Sequence, residues 1–255
     1  MGEERIRTAI WQELPEPEDP FRAACCRCHG YDVYGELVGR ARWSEFLLLL
    51  LTGERPAPEA AGLLEALAVA LANPGPRDPS VRAAMNAAVS QAPPAAWLAA
   101  ALAAGAGWEG GGGELRLALA WWWEAGTEGK AWRRLLAGPS AERPPGFDPH
   151  ARRCPRTVRQ ALEALAACSP GPHLPWLREH RGLLEEAAGL PLALAGVAAA
   201  ACRDLGLRPE QGELLHLLLR LPGAAVHALE QAGIGWRGYP FFTGAVRLRS
   251  PEGPR

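Results

Sequence analysis

Runs of alanine and leucine, opened by proline and closed by glycine, recur along this chain, and β-branched residues are few. That punctuation constrains the fold strongly. Proline is tolerated in the first helical turn, glycine ends the last, and alanine favours helix while letting helices cross closely. Between Glu59 and Ala72, the leucines Leu63, Leu64, Leu67 and Leu71 recur at helical spacing, and Asn73-Pro74-Gly75-Pro76 stops the run. Asp78-Pro79 offers an N-cap and a first-turn proline for a helix to about Ser90. Pro93-Pro94 opens the next, and Pro155 begins one with Val158, Leu162 and Leu165 on one face. Leu174–Ala188, Leu190–Leu205, Pro209–Leu219 and Pro222–Gln231 read as four more helices, and nothing reads as a strand. The expectation is an all-α, multi-helix domain without an internal repeat of fixed period.

A chain of 255 residues can bury a sizeable core in one main domain. We expect an extended arm over 1–24, held by Trp11, a helical domain over 25–234, and an aromatic, then basic, tail over 235–255. Lys and Arg number 27 against 28 Asp and Glu, so no basic field is available to neutralise nucleic-acid phosphates. Met1-Gly2-Glu3-Glu4-Arg5 leads into no apolar leader segment, and Leu47–Leu51 is too short to cross a bilayer; a soluble, cytoplasmic protein is expected. The cysteines Cys25, Cys26, Cys28, Cys154, Cys168 and Cys202 read as reduced thiols. Cys25-Cys26-Arg27-Cys28-His29 has no second ligand cluster to complete a zinc site, so it reads as the start of a buried turn, with no metal expected.

The stretch from Gly105 to Glu114, with Gly110-Gly111-Gly112-Gly113 at its centre, separates two apolar helical runs. Glycines forfeit more conformational entropy on folding than other residues, so such a run marks a place where backbone approaches another helix or a ligand. The phosphate-loop reading fails, because no Gly-Lys-Ser/Thr and no preceding strand accompany it. Trp121, Trp122 and Trp123 point three ways on one helix, so at least one must meet another element or another subunit. His173, His180, His216 and His227 fall on or beside separate helices and read as packed or surface histidines.

Trp108-Glu109-Gly110-Gly111-Gly112-Gly113-Glu114 resembles the Leu-His-Gly-Gly-Ala-Asn-Glu motif of the citrate synthase and citryl-CoA lyase family. So does Gly30-Tyr31-Asp32 followed by Trp43 to Pro56, with its Leu-Thr-Gly-Glu-Arg-Pro ending. The resemblance runs from about Trp11 to Gly244, and it implies a citrate-synthase-like helical fold, an obligate dimer, and a CoA thioester as substrate or ligand rather than a cofactor. It also implies three catalytic positions, each altered here. Glu109 stands where one histidine stabilises the enol of the acyl-CoA. Pro145-Gly146-Phe147 runs straight into Asp148-Pro149-His150-Ala151, so the second histidine's residues are missing and His150 replaces a carboxylate-binding arginine. Leu190-Pro191-Leu192-Ala193-Leu194-Ala195-Gly196 places Ala195 where an aspartate removes the α-proton.

Gly110 and Gly111, as the paired glycines, and Arg237 are the implied substrate contacts, with Phe241-Phe242-Thr243-Gly244 matching a tail that packs on the partner. For Glu109, an interaction with glycine-run N–H groups or a helix start is the expected role. Two functions follow from the resemblance. One is a pseudoenzyme, a homodimer or a heteromer, retained for binding an acyl-CoA or a dicarboxylate or as the partner of an active relative. The other is a divergent citrate synthase (an acyltransferase) or citryl-CoA lyase using Glu109 and His150 in altered roles.

Overall fold

The computed structural model describes residues 8–138 and 143–239. Three short strands, β1 (Trp11–Pro15), β2 (Ala23–Cys28) and β3 (Tyr31–Asp32), form an antiparallel sheet in the order β1-β2-β3. This corrects two expectations: part of the arm is a strand, and the cysteine cluster is its partner rather than a turn, with Trp11 opposite Cys28 and Gln12 opposite Arg27. Neither strand alternates apolar and polar residues, and β1 is exposed throughout, so it is the backbone ladder that holds the pair. His29 and Gly30, at φ 48° and 88°, make the two-residue turn between β2 and β3 that needs positive φ at both positions.

A π-helical turn over Val33–Leu37 follows, and then the α-helices α1 (Trp43–Thr52), α2 (Pro58–Leu71), α3 (Pro79–Val89), α4 (Pro94–Gly105), α5 (Gly112–Ala125), α6 (Gly129–Leu136), α7 (Arg156–Cys168), α8 (His173–Ala188), α9 (Leu194–Asp204) and α10 (Pro209–Gly238). The all-α reading holds beside the small sheet. Several sequence signals act as expected. Asp78 accepts the Ser80 N–H at 2.9 Å to cap α3, and Gly53, at φ 81°, closes α1 through its N–H to Leu49 O. The stretch 190–193 is not helical, so α9 starts later than its apolar run. Pro222 does not split α10; instead Gly223 donates its N–H to Ala72 O at 2.8 Å, and the helix continues until Gly235 leaves helical geometry.

Two compact units divide the chain, one of 1–71 with 108–216 and one of 72–107 with 217–255, so the span 25–234 contributes to both. In the first, Leu115, Leu119 and Trp122 of α5 are buried, and every residue of α9 from Ala195 to Cys202 is buried as well. A helix apolar all round belongs at the centre of its unit. The second unit has a core of small residues, Val81, Ala84, Ala88, Ala101, Ala224 and Ala228, flanked by Met85, Trp97 and Leu221. Among the described residues no helix is long and apolar enough to cross a membrane.

The three tryptophans diverge as a helix requires. Trp122 is buried edge-on to Trp132 and Trp176, Trp121 meets Trp132, and Trp123 is 44 % exposed, donating to Leu207 O with Arg203 stacked over its ring.

Candidate functional site

Within the first unit, three separated segments converge through their backbones. The glycine run turns at Gly110, φ 71°, before Gly111 caps α5. The 144–150 loop lies antiparallel to 191–193. Asp148 N donates to Pro191 O at 2.8 Å, Ala193 N to Gly146 O at 2.9 Å, and Phe147 pairs with Leu192, both buried. Beyond this bridge, the first turn of α9 crosses Gly146 so closely that a Cβ on Gly146 would lie 2.8 Å from Gly196 Cα. Gly146 itself has φ 86°, which independently favours glycine.

Glu114 ties the segments together. One carboxylate oxygen accepts the Gly110 N–H at 2.5 Å and the other accepts the Gly146 N–H at 3.1 Å. Burial raises its pKa, helped by the nearby charges of Asp148 and Glu109, while the two N–H bonds oppose the rise. The glycine-run contact expected of Glu109 is therefore made by Glu114, whose third position in α5 brings it back over the turn that precedes the helix. Sequence reading named Glu114 only as the end of a motif. Its spacing of four from Gly110 was the available signal.

Glu109 points elsewhere. It forms an ion pair with Arg143 and stands 3.7 Å from His150 Nε2, so the residue at the first catalytic position and the one replacing the carboxylate-binding arginine meet at the surface. Their side chains are 58 % and 74 % exposed. Asp148 shapes this loop by accepting the N–H groups of His150 and Ala151 at 2.8 and 3.2 Å, which turns His150 outward from the Phe147–Leu192 bridge. Arg143 was not foreseen, since nothing in its local sequence marks it. Ala195 is buried in the first turn of α9, offers only a methyl group, and makes no part of the Arg143–Glu109–His150 cluster. Gly111 is the α5 N-cap, while Arg237 is exposed near the end of α10 and belongs to the other unit. Phe241, Phe242, Thr243 and Gly244 lie outside the described residues.

The histidines divide. His216 is buried, His227 Nε2 lies 3.0 Å from Asn73 Oδ1, and His180 stacks on Trp176. His173 is held against a buried carboxylate. Its Nδ1 is 2.7 Å from Asp204, whose side chain is fully buried. Asp204 also accepts from Ser169 Oγ and from the N–H groups of His173 and Leu174. Burial acts to raise the Asp204 pKa, but the hydrogen bonds outweigh it and hold the carboxyl below the usual range.

No family model matches the sequence, and no curated protein matches it. Similar folds are found among solved structures. Citryl-CoA lyase from Hydrogenobacter thermophilus aligns with TM-score 0.79 and 20% identity, over 99% of this chain and 97% of that one. ATP citrate lyase from Methanothrix soehngenii, solved with citrate and coenzyme A, aligns with TM-score 0.77 and 18% identity, over 99% of this chain but 43% of that one. Citrate synthase from Thermoplasma acidophilum, in a ternary complex with carboxymethyl coenzyme A and oxaloacetate, gives TM-score 0.59 and 18% identity over 84% and 59% of the two chains. The fold is citrate-synthase-like.

Proposed function

We propose that this chain is a member of the citrate synthase and citryl-CoA lyase family that keeps the backbone cradle and has lost the side chains that do the chemistry. It binds a CoA thioester or a dicarboxylate in the cytoplasm, alone or as the partner of an active relative. The carrying observation is the convergence of the glycine turn, the 144–150 loop and the 191–196 segment about Glu114, with no acid–base side chain at Ala195. Support comes also from the complexes of similar fold, which hold citrate with coenzyme A, and carboxymethyl coenzyme A with oxaloacetate.

Making or breaking a C–C bond beside a thioester needs a base for the α-proton and donors for the developing oxyanion. Ala195 supplies no base. A carboxylate at Glu109 repels an enolate rather than stabilising it, and it is already engaged by Arg143. Positioned acid–base groups each contribute about 10²- to 10⁴-fold, and because they act as a unit, restoring some of them does not restore the rate in proportion. The double variant Glu109→His with Ala195→Asp is therefore expected to stay inactive while the loop between Phe147 and Asp148 remains short.

The proximity of His150 to Glu109 supports a second reading, a divergent citrate synthase or citryl-CoA lyase that uses this pair. Against it, both groups are more than half exposed, where water screens their interaction. A melting series with CoA, acetyl-CoA, oxaloacetate and citrate, run beside a free-thiol assay, separates the two. The expected result is ligand stabilisation, about 2.7 kcal/mol at a hundredfold excess over Kd, without substrate-dependent CoA release. CoA release abolished by Glu109→Ala or His150→Ala would establish the second reading, and neither stabilisation nor release would remove both.

Where it acts without an active relative, we propose that the protein is a homodimer. Trp108 and Leu117 expose 67 % and 43 % of their surface, and with Trp123 they leave apolar area uncovered around α5. Sedimentation at micromolar concentration is expected to show a dimer, and a monomer there would remove this assignment.

A further inference from the structure

Helices α6 and α8 border a cavity of about 440 Å³ whose walls include Arg133, Trp176, His180, Leu183, Leu184 and Glu186. None of these belongs to the cluster about Glu109 and Glu114. Its volume falls in the range of small-molecule sites, which are apolar with a few placed polar groups. One wall is aromatic and fixed. The Trp176 ring stacks on His180 at 4.4 Å and 13°, and is backed by Trp132 at 6.2 Å and 24° and by Trp122 at 5.9 Å and 87°. His180 Nδ1 lies 3.0 Å from the Trp176 carbonyl, which only accepts, so Nδ1 carries the proton and the imidazole is held flat.

Two charges of opposite sign complete the lining. Among the described residues, neither Arg133 nor Glu186 is in an ion pair with another side chain. A cavity with one guanidinium, one carboxylate and an aromatic and leucine wall matches a ligand with the complementary three parts. We propose that it binds a small zwitterion with an apolar body, the chemistry of a free amino acid with an aromatic or branched side chain. Arg133 takes the carboxylate through paired N–H donors, Glu186 takes the ammonium, and the side chain lies against Trp176, Leu183 and Leu184. This is a site for a second ligand, separate from the proposed CoA thioester site.

Calorimetric titration of the full chain with L-phenylalanine, phenethylamine, 3-phenylpropionate and L-alanine tests each part. Phenylalanine is expected to bind saturably at one site. Each single-charge analogue is expected to bind about tenfold more weakly, the effect of losing one charge-assisted hydrogen bond, and alanine to give no measurable heat. Because Trp176 supports the core, the variants are made at exposed positions. Arg133→Ala and Glu186→Ala are each expected to weaken phenylalanine about tenfold, and Leu183→Glu, at a residue 65 % exposed, to abolish binding by placing a charge at the apolar wall. All three should melt within a few degrees of the parent. Equal affinity for phenylalanine and 3-phenylpropionate overturns the proposal, as does unchanged binding in Leu183→Glu or the absence of saturable binding into the millimolar range.

Discussion

Replacing Asp204 with alanine is expected to destabilise the first unit by about 3–5 kcal/mol, because a buried carboxylate is removed and the buried donors around it are left unsatisfied, and to lower its melting temperature on the order of 10 °C. Four groups lose their acceptor at once: the His173 ring and N–H, the Leu174 N–H and the Ser169 hydroxyl. The two N–H groups open α8, whose own N-cap, Pro172, makes no side-chain cap bond. Asp204 thus supplies from α9 the cap that α8 lacks locally, with its charge at the favourable end of the helix dipole. Gly171 makes room for it, since a Cβ there would lie 2.6 Å from Asp204 Cγ. Asp204→Asn keeps one accepting oxygen but turns an amide donor toward a donor, so an intermediate loss is expected.

The pH dependence has a defined sign. The folded-state pKa of Asp204 lies below its unfolded value, so its contribution is fully present above the unfolded carboxyl range, near pH 4, and is lost as pH falls through the folded value. The stability gap between parent and Asp204→Asn should therefore narrow on acidification. A gap constant from pH 7 down to pH 2 in denaturant melts would show that the carboxylate's charge is not what holds α8.

Gly196→Ala is expected to cost about 2–4 kcal/mol, although the same change in an open helix gains up to about 1 kcal/mol of helix propensity. Here the new Cβ would strike the Gly146 carbonyl oxygen and lie 2.9 Å from Leu192 Cδ1. Gly146 cannot retreat freely, because Ala193 N holds its oxygen and Glu114 holds its N–H. The loop carrying Asp148 and His150 should shift with it, so any ligand stabilisation at the proposed CoA site should fall together with the melting temperature. Gly182 in α8 is the counterpart, with nothing within 4 Å of where a Cβ would stand, and Gly182→Ala should stabilise by about 0.5–1 kcal/mol. Equal effects at the two glycines in thermal melts would contradict the backbone crossing.

Glycine and proline signals located many element ends because those signals act within one turn: Asp78 caps α3 and Gly53 closes α1 in the structure as in the sequence. The same local logic missed the strands β1 and β2. Strands β1 and β2 carry no apolar alternation and exist through pairing with each other. It also split α10 at Pro222, where the Gly223 N–H finds an acceptor at Ala72 that no window around residue 222 contains.

The sequence by itself determined the helical class and the contents of the three motif positions: Glu109, the short run into Asp148-Pro149-His150, and Ala195. Helix propensity, capping and residue identity are local properties, so they are written in the order of the chain. Only the tertiary structure decided that Glu114, not Glu109, takes the glycine-turn N–H, and that Glu109 faces Arg143 and His150. It alone set Asp204, 31 residues beyond His173, as the cap of α8. Each of these is a choice of partner for a polar group, fixed by which groups burial leaves without water, and burial depends on how distant segments pack.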